Sequence, residues 1–310
     1  MYDFQAMQFA AVCRSLMKAF VQRRPLRSGS LITTIFGDSL ATRHCDVSLS
    51  GLILLLEPFG LTERLVRTSI GRLAQDRWLT SKRIGRLSYY RLTTDGEIRF
   101  AEATRKIYGA PREDWRGSWT TLILPTDTGR ESRENIRNIL QWSGFGQICP
   151  GVHIHPEIGL EAAQKLIAGC GTHMNPVLLE SQCTDADADR RMVELGWDLD
   201  SLERRYTKFV TSFVPAFDAL SKEPKPAPIH CFHIRTLLIH EYRKVHLLDP
   251  MLPPRLLPRD WAGSAAYELC KRLYLAIGEG SDQYVQSVLT TSSGPMPGPS
   301  AETRNRFTSP

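Results

Sequence analysis

Basic side chains recur at helical spacing within residues 61–77. Thr62 can cap a helix there, and Val66, Ile70 and Leu73 have the spacing of a buried helical face. The opposite face carries Arg64, Arg67, Thr68 and Arg72. Such side chains reach guanine edges and phosphates in a DNA major groove, which is about as wide as a helix. We therefore predict that this helix contacts DNA.

A basic hairpin follows the helix. Two β-like runs, residues 80–84 and 87–92, are joined at Gly85-Arg86. The side chains that we expect along the DNA backbone and sugars are Lys82, Arg83, Arg86 and Tyr90. A helix followed at once by a basic hairpin predicts the reading head of a winged helix-turn-helix.

The positive charge of the chain is concentrated in the same region. The formal net charge is +6. Residues 14–110 contain 17 Lys and Arg against 8 Asp and Glu, a surplus of +9, whereas residues 111–310 contain 22 against 24. A localised basic surface is typical of a module that binds polyanions, although a merely solvated surface has the same composition. The order of elements favours DNA.

Two groups of histidines have the residue types of a metal site but not its spacing. His153 and His155 alternate along a predicted strand, and His230, Cys231 and His233 lie at the start of a predicted helix. A metal site needs a third or fourth ligand at a suitable spacing, and none is evident. We expect structural histidines and no bound metal.

Catalytic motifs are equally weak. The run from His240 to Arg243 contains an imidazole and a carboxylate, but adjacent helical residues point in different directions and no HExxH pattern follows. Asp127, after a predicted strand, is a single loop carboxylate, for which a turn role is commoner than catalysis. The sequence has no P-loop, dinucleotide-binding glycine motif or nucleophile elbow, so we expect neither an enzyme nor a cofactor.

The chain is predicted to be of the α+β class, with three folded regions between an N-terminal extension and a disordered tail. The N-terminal extension is either an amphipathic helix or a poorly ordered segment. Residues 115–183 read β-α-β-β-α-β, the ferredoxin-like order. The predicted segments are an N-terminal extension (1–24), the winged helix-turn-helix (25–110), the ferredoxin-like domain (115–183), a C-terminal helical domain (184–278) and a disordered tail (279–310) rich in Gly, Ser, Thr and Pro.

Membrane and secretory functions are not indicated. No apolar run reaches the roughly 18 residues of a membrane span, and the N-terminus lacks the order of a secretory signal. Seven cysteines without paired spacing are typical of reduced thiols. We expect a cytoplasmic protein without a membrane partner.

Several further runs are informative when taken together. The runs are Gly29-Ser30-Leu31-Ile32, Phe36-Gly37-Asp38, residues 63–69, 85–93 and 119–124, Pro150-Gly151-Val152 and His240-Glu241-Tyr242-Arg243. They resemble the PaaX family of phenylacetic-acid pathway repressors. The resemblance covers about residues 25–278. It implies a winged helix, a middle domain similar to the CRISPR-associated Cas2 proteins and a helical C-terminal domain.

The resemblance also implies a function. It implies a homodimer that binds a double-stranded DNA operator, represses genes for phenylacetate or other aromatic-acid breakdown, and is released by phenylacetyl-coenzyme A or a related acyl-coenzyme A. The basic helix and hairpin carry over as the DNA contacts. For the effector, the resemblance supports a loose assignment to the C-terminal helices, where Arg235, His240 and Arg243 would meet phosphate or thioester groups.

Two alternatives remain at this point. The first is a metal-dependent nuclease that uses the ferredoxin-like domain, with Asp127 as a ligand and the winged helix as a DNA tether. The second is an assembly factor whose winged helix binds protein, which the basic surplus argues against.

Overall fold

Residues 8–25, 27–110, 115–125, 130–169, 176–223 and 225–308 are described by a computed structural model. The pattern of contacts between Cα atoms divides the chain into two compact units. Unit 1 comprises Met1–Ala110, Thr207–Lys244 and Ala265–Pro310, and unit 2 comprises Pro111–Tyr206 and Val245–Ser264. Residues 184–278, expected to form a separate helical domain, are instead divided between the two units.

The N-terminal part of unit 1 is helical. The first helix buries Phe9, Val12, Cys13, Met17 and Phe20, so the segment expected as an extension carries a packed helix. The elements are α1 (Phe9–Val21), α2 (Ser28–Ile35), a π-helical turn (Phe36–Leu40), a 3-10 turn (Ala41–Arg43), β1 (Val47–Ser48), α3 (Leu49–Leu56), a second 3-10 turn (Glu57–Phe59) and α4 (Glu63–Gln75).

The helix and hairpin predicted around residues 61–93 are present. The hydroxyl of Thr62 accepts a hydrogen bond from the backbone N–H of Leu65 at 3.4 Å, which caps α4. Val66 and Ile70 are fully buried. Strands β2 (Leu79–Ile84) and β3 (Leu87–Leu92) pair antiparallel, with β1 on the other edge of β3. Gly85 has φ +59°, a conformation that favours glycine in a two-residue hairpin turn.

Helix α5 (Thr94–Tyr108) is capped at its N-terminus by Thr93. The hydroxyl of Thr93 accepts a hydrogen bond from the backbone N–H of Gly96 at 3.0 Å. A Cβ on Gly96 would lie 2.4 Å from the carbonyl oxygen of Trp78. Glycine is therefore needed for the close approach of α5 to the end of the hairpin.

Unit 2 contains a four-stranded antiparallel sheet in the spatial order β5-β6-β4-β7. One face packs Leu122 and Leu124 against Ile136, Leu140, Ala163 and Ile167. On the other face Trp119 and Ile154 pack with Val193, Leu252 and Leu256. The elements are β4 (Trp119–Ile123), α6 (Arg130–Trp142), β5 (Gly146–Cys149), β6 (Val152–His155), α7 (Leu160–Ala168), β7 (Val177–Ser181) and α8 (Ala186–Gly196).

Three long helices follow, and the last continues beyond residue 278, where the helical domain was predicted to end. They are α9 (Leu199–Leu220), α10 (Pro228–His246) and, after a 3-10 turn (Pro254–Leu256), α11 (Ala262–Val288). No helix among the described residues is long and apolar enough to cross a membrane.

The prediction of a disordered tail over residues 279–310 is wrong for the residues described. After α11 the chain forms a hairpin of β8 (Thr290–Thr291) and β9 (Gly294–Pro295), then α12 (Ala301–Arg304). Leu289, Met296 and Phe307 are at most 3% exposed. Sparse apolar residues are enough for order here because Leu289, Met296 and Phe307 are buried in unit 1.

Candidate nucleic-acid interface

Helix α4 presents the predicted basic face to solvent. Arg64, Arg67, Thr68 and Arg72 are all exposed. At 3.6 residues per turn these four positions lie on one side of the helix, opposite the buried Val66 and Ile70. The hydroxyl of Thr68 donates to the carbonyl oxygen of Arg64 at 2.8 Å. The oxygen of Thr68 can still accept, while its hydrogen is held within the helix.

Arg67 is not a free cation on this face. Its Nη2 lies 2.7 Å from Oε1 of Glu63, one turn earlier, and both side chains are more than half exposed. An exposed pair of this kind is worth only about 0.3–0.5 kcal/mol, so a phosphate can compete for the guanidinium. The carboxylate of Glu63 nevertheless lowers the positive potential at the start of α4.

The hairpin carries its basic residues on two faces. Lys82 is paired with Tyr89 and Arg83 with Ser88, and cross-strand partners share a face while successive residues alternate. Lys82, Arg83 and Arg86 are exposed. Arg83 Nε donates to the carbonyl oxygen of Gly85 at 3.2 Å, which holds its side chain beside the turn.

Tyr90, predicted to touch DNA, differs from these residues. It is only partly exposed and is paired with Ser81 on one side and with Val47 of β1 on the other. It therefore lies on the opposite face of the hairpin from Lys82. The structure brings the three arginines of α4 together but does not place Tyr90 beside Lys82.

The three residues predicted for an effector instead attach α10 to α2 and its π-helical turn. Nδ1 of His240 lies 2.9 Å from Oγ1 of Thr34. Arg243 donates to Thr34 Oγ1 at 2.8 Å and to the carbonyl and hydroxyl oxygens of Ser30 at 2.7 and 2.8 Å. Arg235, which is 1% exposed, pairs with Asp38. Their polar groups are directed at the protein itself.

Three family models match the chain. They are PaaX-like protein over residues 27–96, PaaX protein central Cas2-like domain over residues 112–193, and PaaX-like protein C-terminal domain over residues 197–287. The chain is also 35% identical over 301 residues to the transcriptional repressor PaaX of Escherichia coli (strain K12), an alignment that covers 94% of this chain and 95% of that protein. This chain belongs to the PaaX family.

A solved structure shares the fold. The uncharacterized protein Rv0674 from Mycobacterium tuberculosis superposes with a TM-score of 0.53 at 21% identity, over 81% of this chain and 95% of that one. At this identity the likeness concerns the fold alone.

In this PaaX-family chain, a buried ionic network links the first matched segment to the third. Asp38 receives hydrogen bonds from Arg235 Nε at 2.8 Å, Tyr108 at 2.7 Å and Tyr274 at 3.0 Å, and Arg306 Nη1 lies 3.1 Å from it. Burial alone would raise the pKa of Asp38, but Arg235 and Arg306 outweigh it and hold that pKa below its usual value. Asp38 is therefore ionised, with its charge compensated inside unit 1.

His240, unlike Asp38, is uncharged. The imidazole is 1% exposed and packs edge-on against Phe20 at 5.6 Å between ring centroids. Its burial, together with the nearby Lys244, Arg243 and Arg23, lowers the pKa of His240 to about 2. The ring is neutral at physiological pH, so it offers no positive charge to an anionic effector.

Two of the other histidines, His155 and His233, contact protein groups. Nδ1 of His155 accepts from the N–H groups of Glu157 and Ile158 at 2.9 and 2.8 Å. His233 is buried, and burial lowers its pKa to about 4. Within the described ranges no three His, Cys, Asp or Glu side chains are grouped so as to hold a metal ion. Asp127 lies outside the described residues.

One basic residue of this region was missed by the sequence analysis. Arg91 is exposed and is paired with Thr80, which puts it on the same face of the hairpin as Lys82. The alternation of β3 contained the signal, because Arg91 follows Tyr89 by two residues and must share its face.

Proposed function

We propose that this chain is a DNA-binding transcriptional repressor whose reading head is a winged helix-turn-helix formed by α3, α4 and the β2–β3 hairpin. The observation that carries the proposal is the exposed arginine face of α4, followed directly by a basic hairpin within the region that holds the +9 surplus. The relative in Escherichia coli is named a transcriptional repressor.

In this proposal α4 enters the major groove and the hairpin lies along the adjacent backbone. Arg64, Arg67 and Arg72 supply contacts to guanine edges or phosphates, and Thr68 accepts hydrogen bonds. Lys82, Arg83 and Arg86 neutralise phosphates, so affinity falls as the salt concentration rises. Tyr90, only partly exposed, is a secondary contact to sugar or phosphate.

We propose a homodimer that forms through the central Cas2-like domain, whose βαββαβ element order and antiparallel sheet support a ferredoxin-like fold. Ile123, Val177 and Leu179 are 37–52% exposed. Ile123 pairs with Val177, and Leu179 pairs with Thr121, so the three apolar side chains share one face of β4 and β7. An exposed apolar patch of this kind is typical of a protein interface. Two reading heads would then fit half-sites about 34 Å apart.

The regulated genes in this proposal are those of phenylacetate catabolism, and the releasing effector is phenylacetyl-coenzyme A or a related aromatic acyl-coenzyme A. Release requires that the effector bind the DNA-free state more tightly than the DNA-bound state. Arg235, His240 and Arg243 are not assigned to the effector here, because their hydrogen bonds connect α10 to α2 and the turn after it.

Fluorescence anisotropy with a labelled promoter duplex from a phenylacetate gene cluster tests the proposal. The protein should bind this duplex more tightly than a scrambled duplex, and phenylacetyl-coenzyme A should reverse the binding. Equal affinity for both duplexes would contradict sequence-specific repression. Incubating the same duplex with Mg²⁺ or Mn²⁺ tests the nuclease alternative, which requires cleavage that is lost in Asp127→Ala.

A further inference from the structure

One face of the β2–β3 hairpin lies opposite the segment that follows α11. Thr80, Lys82, Tyr89 and Arg91 share this face because Thr80 pairs with Arg91 and Lys82 with Tyr89. The β8–β9 hairpin is attached beside it. The hydroxyls of Ser48 and Thr290 lie 3.2 Å apart, and Asp46 accepts from the N–H of Ser292 at 2.8 Å and from its hydroxyl at 2.5 Å.

Between these two hairpins lies a groove of about 740 Å³. Lys82 and Arg91 line it from the β2–β3 side, and the β8–β9 turn contributes Thr291, Ser292 and Ser293. Both carboxylate oxygens of Asp46, the one acidic residue among those lining this part of the groove, are bonded to Ser292. The groove therefore combines two cations with several hydroxyl groups. These are the groups that bind phosphate oxygens.

The groove described above is the first of two arms. A second arm of about 460 Å³ adjoins it. The two arms share His44, Cys45, Thr80 and Arg91. Beyond Arg91 the second arm is lined by the apolar side chains of Phe36, Leu40 and Leu92, and also by Thr93, Thr94 and the carboxylate of Glu97. Each arm is of the size of a small-molecule site, which is about 300–1,000 Å³. The first arm thus offers hydrogen-bond donors and positive charge. The second offers apolar side chains together with the carboxylate of Glu97, which disfavours a phosphate there.

We propose that this groove binds an organic phosphate that carries an apolar substituent, with its phosphates at Lys82 and Arg91 and its apolar group beside Phe36 and Leu40. The inference rests on the proposed function, since an aromatic acyl-coenzyme A has this chemistry and would have its effector site here. Lys82 is also a proposed DNA contact. Ligand phosphates and the DNA backbone therefore compete for one ammonium group, which couples binding of the ligand to release of the operator.

Isothermal titration of the full chain with phenylacetyl-coenzyme A, and separately with coenzyme A, tests this site. Arg91→Ala removes a cation from the groove, and Ser293→Glu introduces a negative charge from the β8–β9 side without changing the DNA-reading hairpin. Each should weaken binding of both probes about tenfold or more, the effect expected when a charge-assisted hydrogen bond is lost. Coenzyme A should bind more weakly than phenylacetyl-coenzyme A, since it lacks the apolar group.

Two matched controls change the same charges elsewhere in unit 1. Arg105→Ala removes an exposed cation of α5, and Ser287→Glu adds a charge to an exposed position of α11. Both should bind the probes as the unmodified chain does. Probe affinities of Arg91→Ala and Ser293→Glu that equal those of the controls would overturn the site, as would failure of the unmodified chain to bind either probe.

The DNA titration separates this inference from the proposed function. If the chain binds its operator and phenylacetyl-coenzyme A releases it equally well from Ser293→Glu, the repressor proposal stands and the groove is not the effector site. If the chain shows no preference for the operator, the proposed function fails whatever the probes do.

Discussion

Arg235 and Asp38 form a two-point ion pair inside unit 1, although 196 residues separate them in the chain. Nε of Arg235 lies 2.8 Å from Oδ2 of Asp38, and Nη2 lies 3.4 Å from Oδ1. Both side chains are at most 2% exposed. The pair connects α10 to the π-helical turn after α2. Helix α2 packs against α4, so the pair fixes elements that lie beside the proposed reading head.

Loss of this pair should destabilise the fold. Arg235→Leu leaves the buried carboxylate of Asp38 with one guanidinium fewer, and breaking a buried pair typically costs about 3–5 kcal/mol. Urea unfolding measures the change in the free energy of unfolding. Arg67→Ala, which removes the exposed pair with Glu63, is the control and should change it by less than about 1 kcal/mol. Similar values for the two variants would show that the Arg235 pair does not stabilise unit 1.

His240 should make the stability depend on pH. Its pKa is about 2 in the folded chain, whereas its ordinary value is 6.5. Below pH 6.5 the unfolded chain binds a proton that the folded chain does not bind. The contribution is therefore complete above pH 6.5 and decreases as the pH falls toward 2, by about 1.4 kcal/mol per pH unit.

His240→Asn retains a polar group near Thr34 but cannot titrate in this range. Urea unfolding at pH 7.5, 6.0 and 5.0 (about 1–2 units apart, enough to resolve the slope) should show a shallower decline for the variant than for the unmodified chain. His233, whose buried ring has a pKa of about 4, contributes in the same direction in both proteins. Parallel pH profiles would mean that His240 is protonated when folded.

The ordered C-terminal segment should be needed for the stability of unit 1. Phe307 is 2% exposed and its ring lies 5.1–5.6 Å from the rings of Tyr108, Tyr267 and Tyr274. Phe307→Ala should cost about 3–5 kcal/mol, as is usual for a buried phenylalanine. Glu302→Ala, at an exposed position of α12, should have little effect. A thermal midpoint that is unchanged in both variants would indicate that the segment is not packed in solution.

The sequence predicted elements that local patterns determine, but not the partners of distant residues. Thr62 and the spacing of Val66 and Ile70 defined α4, and Gly85-Arg86 defined the turn between β2 and β3. Nothing local to Arg235 or His240 shows that they pair with Asp38 and Thr34, about 200 residues earlier. The same limit explains the tail, where the burial of Phe307 depends on tyrosines contributed by α5 and α11.

Glu63 should weaken DNA binding, so its removal should strengthen it. The carboxylate lies 2.7 Å from Arg67 at the start of α4 and would repel the phosphates of an operator. Glu63→Gln releases the guanidinium and should lower the dissociation constant several-fold at low salt. The exposed pair of Glu161 and Lys165 in α7 has the same i, i+4 geometry at 2.6 Å, which makes Glu161→Gln a matched control.

Salt dependence decides whether the arginines of α4 reach phosphates. Each phosphate contact contributes about 0.9 to the slope of log affinity against log salt concentration. Arg72→Ala should therefore reduce the slope by about one if Arg72 touches a phosphate. Anisotropy titrations over a series of salt concentrations measure the slope for Arg72→Ala and the operator affinities of Glu63→Gln and Glu161→Gln. An affinity for the operator that is the same in Glu63→Gln and Glu161→Gln would remove α4 from the interface.

A charge in the apolar patch of unit 2 should dissociate the proposed dimer. Leu179 is 45% exposed and lies on the same sheet face as Val177 and Ile123. Leu179→Glu would bury an unpaired carboxylate between two subunits, at a cost of several kcal/mol. Analytical ultracentrifugation should then show a monomer. The control Leu160→Glu, at the start of α7 on the other face of the sheet, should remain dimeric. A monomer binds one half-site at a time, so Leu179→Glu should also lose most of its operator affinity while its affinity for a single half-site is retained. Dimers of normal stability in Leu179→Glu would place the dimer interface elsewhere.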